Sequence, residues 1–349
     1  MANRIKEKYM AGKRYFDYPM LFLVIFLICF GLVMIYSTSS YKSTVTYGNS
    51  YHWLLRQAVA IVLGAVAMVV CCKLDYRIIK SEKFGNGCYW ASIVLLVLVL
   101  IIGAAKKGAV RWISIAGFQF QPSEVSKILV VIYLANRLSA NAHKIRTFKD
   151  SIVIVLPTVP IIALIVTQNL STALVVCSMI GVMLFVVSPK MKELMLTAGG
   201  GIILLFVYLL TANSYRNERV QIWLHPESHK KGFQTMQALY AIGSGGIFGK
   251  GLGQSMQKMG FIPESHNDMI FSIICEELGL FGAVCLILVF VALIFRMLLI
   301  ALNTEDLFGS LVVIGFMTHI AIQVFINIAV VTNTICLLYT TDAADDLTR

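Results

Sequence analysis

"FIPESHNDMIFSIICEELG", residues 261–279, sets four carboxylates among isoleucines, phenylalanines and a methionine, and the chain then runs without a charge until Arg296. An apolar run of that length suits the hydrocarbon core of a bilayer, which a helix crosses in about 20 residues. Glu264, Asp268, Glu276 and Glu277 therefore stand at the mouth of a membrane span or inside it. Carboxylates there are costly and default to a functional or helix-pairing role. Their task depends on which side of the membrane the mouth faces.

The same kind of run recurs along the chain, at 18–36, 54–72, 88–105, 121–138, 151–167, 170–187, 193–211, 269–299 and 307–331. Hydrophobic residues make up 58% of the 349 and charged residues 13%, where a soluble domain averages about 25% charged. The alternating strands that a membrane barrel needs are absent. The expected fold is an all-α polytopic membrane protein of about nine transmembrane helices, with a long outer loop, 212–267, between spans seven and eight. The first run is too long for a cleavable signal and lacks a small-residue cleavage site. The eight cysteines avoid the segments assigned to the outside, so no disulfide framework is expected.

Lys and Arg favour cytoplasmic loops. Placing the N-terminus inside puts the larger share of them, from Arg4 through Lys83 and Arg146 to Arg296, on the cytoplasmic side. The outer cations concentrate before span four, at its start, and in the 212–267 loop. Long loops translocate regardless of charge, so these cations read either as a solvated surface or as a basic mouth for an anionic ligand such as a lipid phosphate. In this topology Asp268 lies at the outer end of span eight, and Glu276 and Glu277 lie deeper by roughly 12 Å at 1.5 Å per residue. Adjacent helical residues point about 100° apart. One of the two is thus expected to face a cavity and the other to pair with a neighbouring span, near the polar stripe His319, Gln323 and Asn327.

"GAVRWISIAGFQFQPSEVSKILVVIYLA", 108–135, is the second informative stretch. Pro122 suits the first turn of a helix, and Glu124 and Lys127 share one face of it. Glu124 is also explained as a first-turn acid favoured by the helix dipole, but Lys127 is not, which leaves it a pairing or ligand role. The His319 stripe reads as interhelical hydrogen bonding or as a ligand contact. GxxxxGK[ST] and GxSxG are absent. His225 and His229 flank Glu227 without a third metal-ligand pattern, and so read as surface loop.

The chain resembles the SEDS family of bacterial cell-wall proteins (FtsW, RodA, SpoVE). The resemblance rests on "GLVMIYSTSS" (31–40), "RWISIAGFQFQPSEVSKI" (111–128), "ALYAIGSGGIFGKGLGQSMQKMGFIPESHNDMIFSIICEELGLFG" (238–282) and "AIQVFINIAVVTNTI" (321–335). It implies a peptidoglycan glycosyltransferase that polymerises lipid II into β-1,4 glycan on the outer face of the bacterial cytoplasmic membrane. Its implied partners are undecaprenyl-diphosphate-linked glycan, a class B penicillin-binding protein and the divisome. The family's essential acid falls on Asp268. Arg111, Glu124, Lys127, Arg216, Arg219, Lys258 and Glu264 are the implied substrate contacts, and Glu124 a candidate ligand for a divalent metal, Mg or Mn; no organic cofactor is implied. The alternatives are a lipid II flippase and a non-catalytic divisome scaffold. "QNLSTA" (168–173) replaces the family's "EPDLGTA", a variant associated with division-type, FtsW-like members. After Ile335 the family continues into a tenth span, whereas this chain reads "CLLYTTDAADDLTR". Residues 1–335 are accordingly expected to form the transmembrane domain, truncated, and 336–349 a non-native read-through tail.

Overall fold

The computed structural model describes residues 16–102, 104–106, 109–115, 118–145, 147–188, 221–228, 232–262 and 265–335. Arg216, Arg219, Glu264, the side chain of Arg111, the expected span at 193–211 and the tail 336–349 lie outside the described residues. The long helices are α1 (Tyr18–Tyr47), α2 (His52–Lys73), α3 (Glu82–Ile102), α4 (Pro122–Asn141), α5 (Phe148–Val155), α6 (Val159–Gln168), α7 (Leu170–Val187), α8 (Phe233–Gly245), α9 (Ile270–Asn303) and α10 (Leu307–Val331).

Six segments among the described residues are long and apolar enough to cross a membrane, and they correspond to the expected spans one, two, three, five, eight and nine. Expected span six is the shorter apolar helix Ser171–Val187. Expected span four is α4, whose Glu124, Lys127 and Arg137 give it too much charge to qualify by composition. In span five the helix tightens into a 3₁₀ turn at Leu156–Thr158 between α5 and α6, because Pro157 and Pro160 bring no N–H to the ladder. α2 buries none of its residues. A helix apolar all round with no buried face is built for lipid as its solvent.

The expectation of an all-α chain needs one correction. Ala104–Lys106, Ala109–Ile115 and Phe118–Phe120 form an antiparallel three-stranded sheet, β1-β2-β3, between α3 and α4. "VRWISI" is dense in β-branched and aromatic residues, which favour a strand. Reading the segment only as a charged loop missed this.

α1 starts at Asp17, whose carboxylate accepts the Met20 N–H at 2.9 Å, with Pro19 in the first turn. The other Asp17 oxygen takes the Arg296 guanidinium at 2.6 Å, which ties the start of α1 to α9. The Met20 N–H above all, opposed by burial and then helped by Arg296, holds the Asp17 carboxyl below its ordinary value.

The largest core packs α3, α4, α6, α7 and α10 around Leu96, Leu134, Ile165, Met183 and Leu311. At Gly315 of α10 an added Cβ would lie 2.5 Å from Val131 Cγ1, so this glycine permits the close approach of α4 and α10. Gly315→Val is expected to cost about 1–3 kcal/mol through overpacking, read as a lower unfolding midpoint in detergent. An unchanged midpoint would show that the two helices part freely.

Candidate functional site

The glycine-rich stretch after α8 docks onto a break in α9. Gly279 has φ 70° and ψ −172°, outside the helical region. A Cβ there would sit 2.3 Å from Gly249 N and 2.4 Å from Ile247 O. The break frees backbone groups that would be orphaned in an apolar setting, and the loop satisfies them. Lys250 N and Gly251 N donate to the Glu276 and Glu277 carbonyls, each at 2.9 Å. Leu280 N and Phe281 N donate to Gly246 O at 2.9 Å and Ile247 O at 3.0 Å.

The side chains follow the backbone. Lys250 Nζ lies 2.7 Å from Glu276 Oε1, and Ser255 Oγ donates to Glu276 Oε2. Lys258 Nζ lies 2.8 Å from Glu277 Oε1 and donates to Ser37 Oγ at 3.0 Å. Ser37 Oγ sits 2.7 and 2.8 Å from the two Glu277 oxygens. The expected division between Glu276 and Glu277 is therefore corrected: both pair with lysines of the loop between α8 and α9, and among the described residues neither pairs with the His319 stripe. The loop lies across the helix widely enough to cover both directions in which adjacent side chains point. Lys258 is only 5% exposed, so its ammonium holds the loop to α9 and α1. Ser37 was missed; its signal was the hydroxyl run "STSS" inside an apolar span, of which Ser37, Thr38 and Ser39 are buried.

Asp268 precedes α9 and lines a cavity of about 420 Å³ together with Gln323 and Asn327, walled by Phe30, Phe271 and Phe290. Asn327 Nδ2 donates to the Asp268 carbonyl at 3.1 Å. On the neighbouring helix, Lys127 Nζ pairs with Glu124 Oε2 at 2.8 Å, the lysine 2% and the glutamate 48% exposed. That pairing answers why a cation sits in the first turns of α4. His319, on the facing helix α10, has its Nδ1 buried without a hydrogen-bond partner among the described residues. Val131 against Gly315 sets the register of α4 on α10. One turn on, Lys127 is level with His319, and two turns on, Glu124 is level with Gln323. Asn327, beside Asp268, lies a further turn along, roughly 6 Å of rise. The stripe His319–Gln323–Asn327 thus runs from the level of the Glu124–Lys127 pair to the cavity at Asp268.

Arg111 is in β2, with its backbone alone described. His225 and Glu227 approach to 3.5 Å with both side chains more than half exposed, as a surface loop would place them. Among the described residues no three His, Cys, Asp or Glu side chains gather as a metal would require, and Glu124 is engaged by Lys127. Among the described residues this donor set does not fit a divalent centre.

Residues 18–337 match the FtsW/RodA/SpoVE family model, described as "Cell cycle protein". A probable peptidoglycan glycosyltransferase FtsW of Geobacter metallireducens is 36% identical over 327 residues, covering 91% of this chain and 85% of that protein. Stage V sporulation protein E of Bacillus subtilis is 36% identical over 329 residues, covering 91% and 88%. Among solved structures, a chain reported under "Structural coordination of polymerization and crosslinking by a peptidoglycan synthase complex" is similar at TM-score 0.75 and 25% identity, over 95% of this chain and 94% of that one. The rod shape determining protein RodA of Thermus thermophilus is similar at TM-score 0.67 and 26% identity, over 93% and 88%.

Proposed function

Because this chain belongs to the family of FtsW, RodA and SpoVE, we propose that it polymerises lipid II into β-1,4 glycan on the outer face of the cytoplasmic membrane, in cell division. That it is a multi-pass membrane protein and a peptidoglycan glycosyltransferase rests on that membership and on the relatives' names. In this reading the N-terminus lies inside and a class B penicillin-binding protein is the partner. The observation that carries it is Asp268 on the wall of a mostly apolar cavity, with Gln323 and Asn327 beside it. A lipid-linked sugar needs that combination of an apolar slot and a few convergent polar groups.

The Asp268 carboxylate takes the proton of the acceptor sugar's 4-OH as that oxygen attacks the donor's anomeric carbon. The new C–O bond forms as the bond from that carbon to the diphosphate breaks, and the electron pair leaves with undecaprenyl diphosphate. Lys127, held by Glu124, is the described cation facing the same stripe and stabilises the departing charge. Arg111, Arg216 and Arg219 are proposed to add to it, and Glu264 to contact the substrate. Lys258 contributes by holding the loop.

A lipid II analogue whose 4-OH is replaced by hydrogen tests this, using the partner-bound protein. Supplied alone, it is expected to give no polymer, while ordinary lipid II gives long chains. A flippase would move both compounds across the bilayer alike, and a scaffold would make polymer from neither. Either pattern would overturn the proposal.

A further inference from the structure

At the end of the bundle away from Asp268, α3 and α4 enclose a second cavity, of about 250 Å³. It lies roughly 20 Å along α4 from Glu124 at 1.5 Å per residue. Glu82, Asn86, Tyr133, Arg137, Asn141 and Lys144 line it. Its wall is firmly built: Asn136, 4% exposed, donates Nδ2 to the carbonyls of Lys80 at 2.7 Å and Ser81 at 2.9 Å. Arg137 stands 5.9 Å over the Tyr133 ring, and its Nε is buried with no acceptor among the described residues. Lys144 Nζ, on an exposed side chain, reaches Asn141 Oδ1 at 3.0 Å. Two cations therefore face a mostly polar cavity that holds one carboxylate, Glu82.

We propose that this cavity binds a phosphate group of net negative charge, either the headgroup phosphate of an anionic phospholipid in the adjoining leaflet or free phosphate. A guanidinium presents planar donors that match phosphate oxygens, and an ammonium adds a mobile point charge. The buried Arg137 Nε–H is a donor awaiting such an oxygen. Glu82 leaves one cation in excess, which suits the single charge of a phosphodiester. Basic pockets between membrane helices on the cytoplasmic side recognise phospholipid headgroups in this way, and the topology proposed above turns this end to the cytoplasm. The inference is independent of the polymerase chemistry, because its site and its readout lie at the other end of α4.

The test is the unfolding midpoint of the 349-residue protein in neutral detergent, titrated with dioctanoyl phosphatidylglycerol, dioctanoyl phosphatidylcholine or sodium phosphate. Phosphatidylglycerol is expected to raise the midpoint saturably, and phosphatidylcholine to do so only at concentrations at least about tenfold higher. Arg137→Gln should weaken the response by about tenfold or more, as loss of a charge-assisted contact does, and Lys144→Gln should weaken it less. If sodium phosphate reproduces the shift and competes with the lipid, the ligand is free phosphate. If only phosphatidylglycerol acts, the ligand is the lipid. Equal stabilisation by both lipids, no shift with either anion, or a wild-type response from Lys144→Gln would overturn the proposal. Lys144 is exposed, so that variant decides the matter even if Arg137→Gln fails to fold.

Discussion

Asp268→Asn is expected to abolish glycan synthesis while leaving expression and folding intact. Asparagine keeps the shape of the side chain, so the cavity shared with Gln323 and Asn327 keeps its form. Asn327 donates to the Asp268 backbone carbonyl, a bond that the substitution does not touch. What is lost is the capacity to take a proton, and general-base catalysis contributes about 10²–10⁴ in rate. The polymerisation rate should fall by that factor with the unfolding midpoint unchanged. A variant within a few-fold of wild type would remove Asp268 from the chemistry. A loss of folded protein would make its role structural.

Lys258→Met is expected to give the largest loss of stability among substitutions in the loop between α8 and α9. It leaves the Glu277 carboxylate, 0% exposed, with Ser37 as its one side-chain partner among the described residues. Breaking a buried ion pair from one side costs about 3–5 kcal/mol, a large fraction of a typical stability. Replacing both members by apolar residues of similar volume is often neutral, so Lys258→Met with Glu277→Leu should recover much of the loss. Lys250→Met should cost less than Lys258→Met, because Lys250 is 35% exposed and solvent already screens its pair with Glu276. Unfolding midpoints of the four proteins check the order. A Lys250 variant less stable than the Lys258 variant would contradict it.

Much of the fold was legible because the bilayer imposes a simple length and composition on its spans. The run at 307–331 became α10, Leu307–Val331. The first run was expected to end at residue 36, but α1 continues to Tyr47. Its second half is rich in hydroxyls, and hydropathy does not reveal that Ser37, Thr38, Ser39 and Ser43 are buried against other parts of the chain. Local pattern cannot register such tertiary burial. The carboxylates of 276 and 277 show the same boundary. Helical phase tells where they point, but the lysines that meet them come from a loop whose path depends on the break at Gly279. The Glu124–Lys127 pair was legible because it needs only a separation of three residues on one helix. Its link to Asp268 through α10 was not, because the register of α4 on α10 is set by the contact of Val131 with Gly315.

The most direct test of glycan polymerisation at Asp268 follows labelled lipid II in liposomes holding the partner-bound protein. It records binding and muramidase-digestible polymer in the same sample, for wild type and for Asp268→Asn. Wild type should make polymer, and the variant should bind lipid II within a few-fold of wild type yet make none. Polymer from the variant at the wild-type rate, or lipid II bound by wild type without any polymer, would show that the bond is not made at this site.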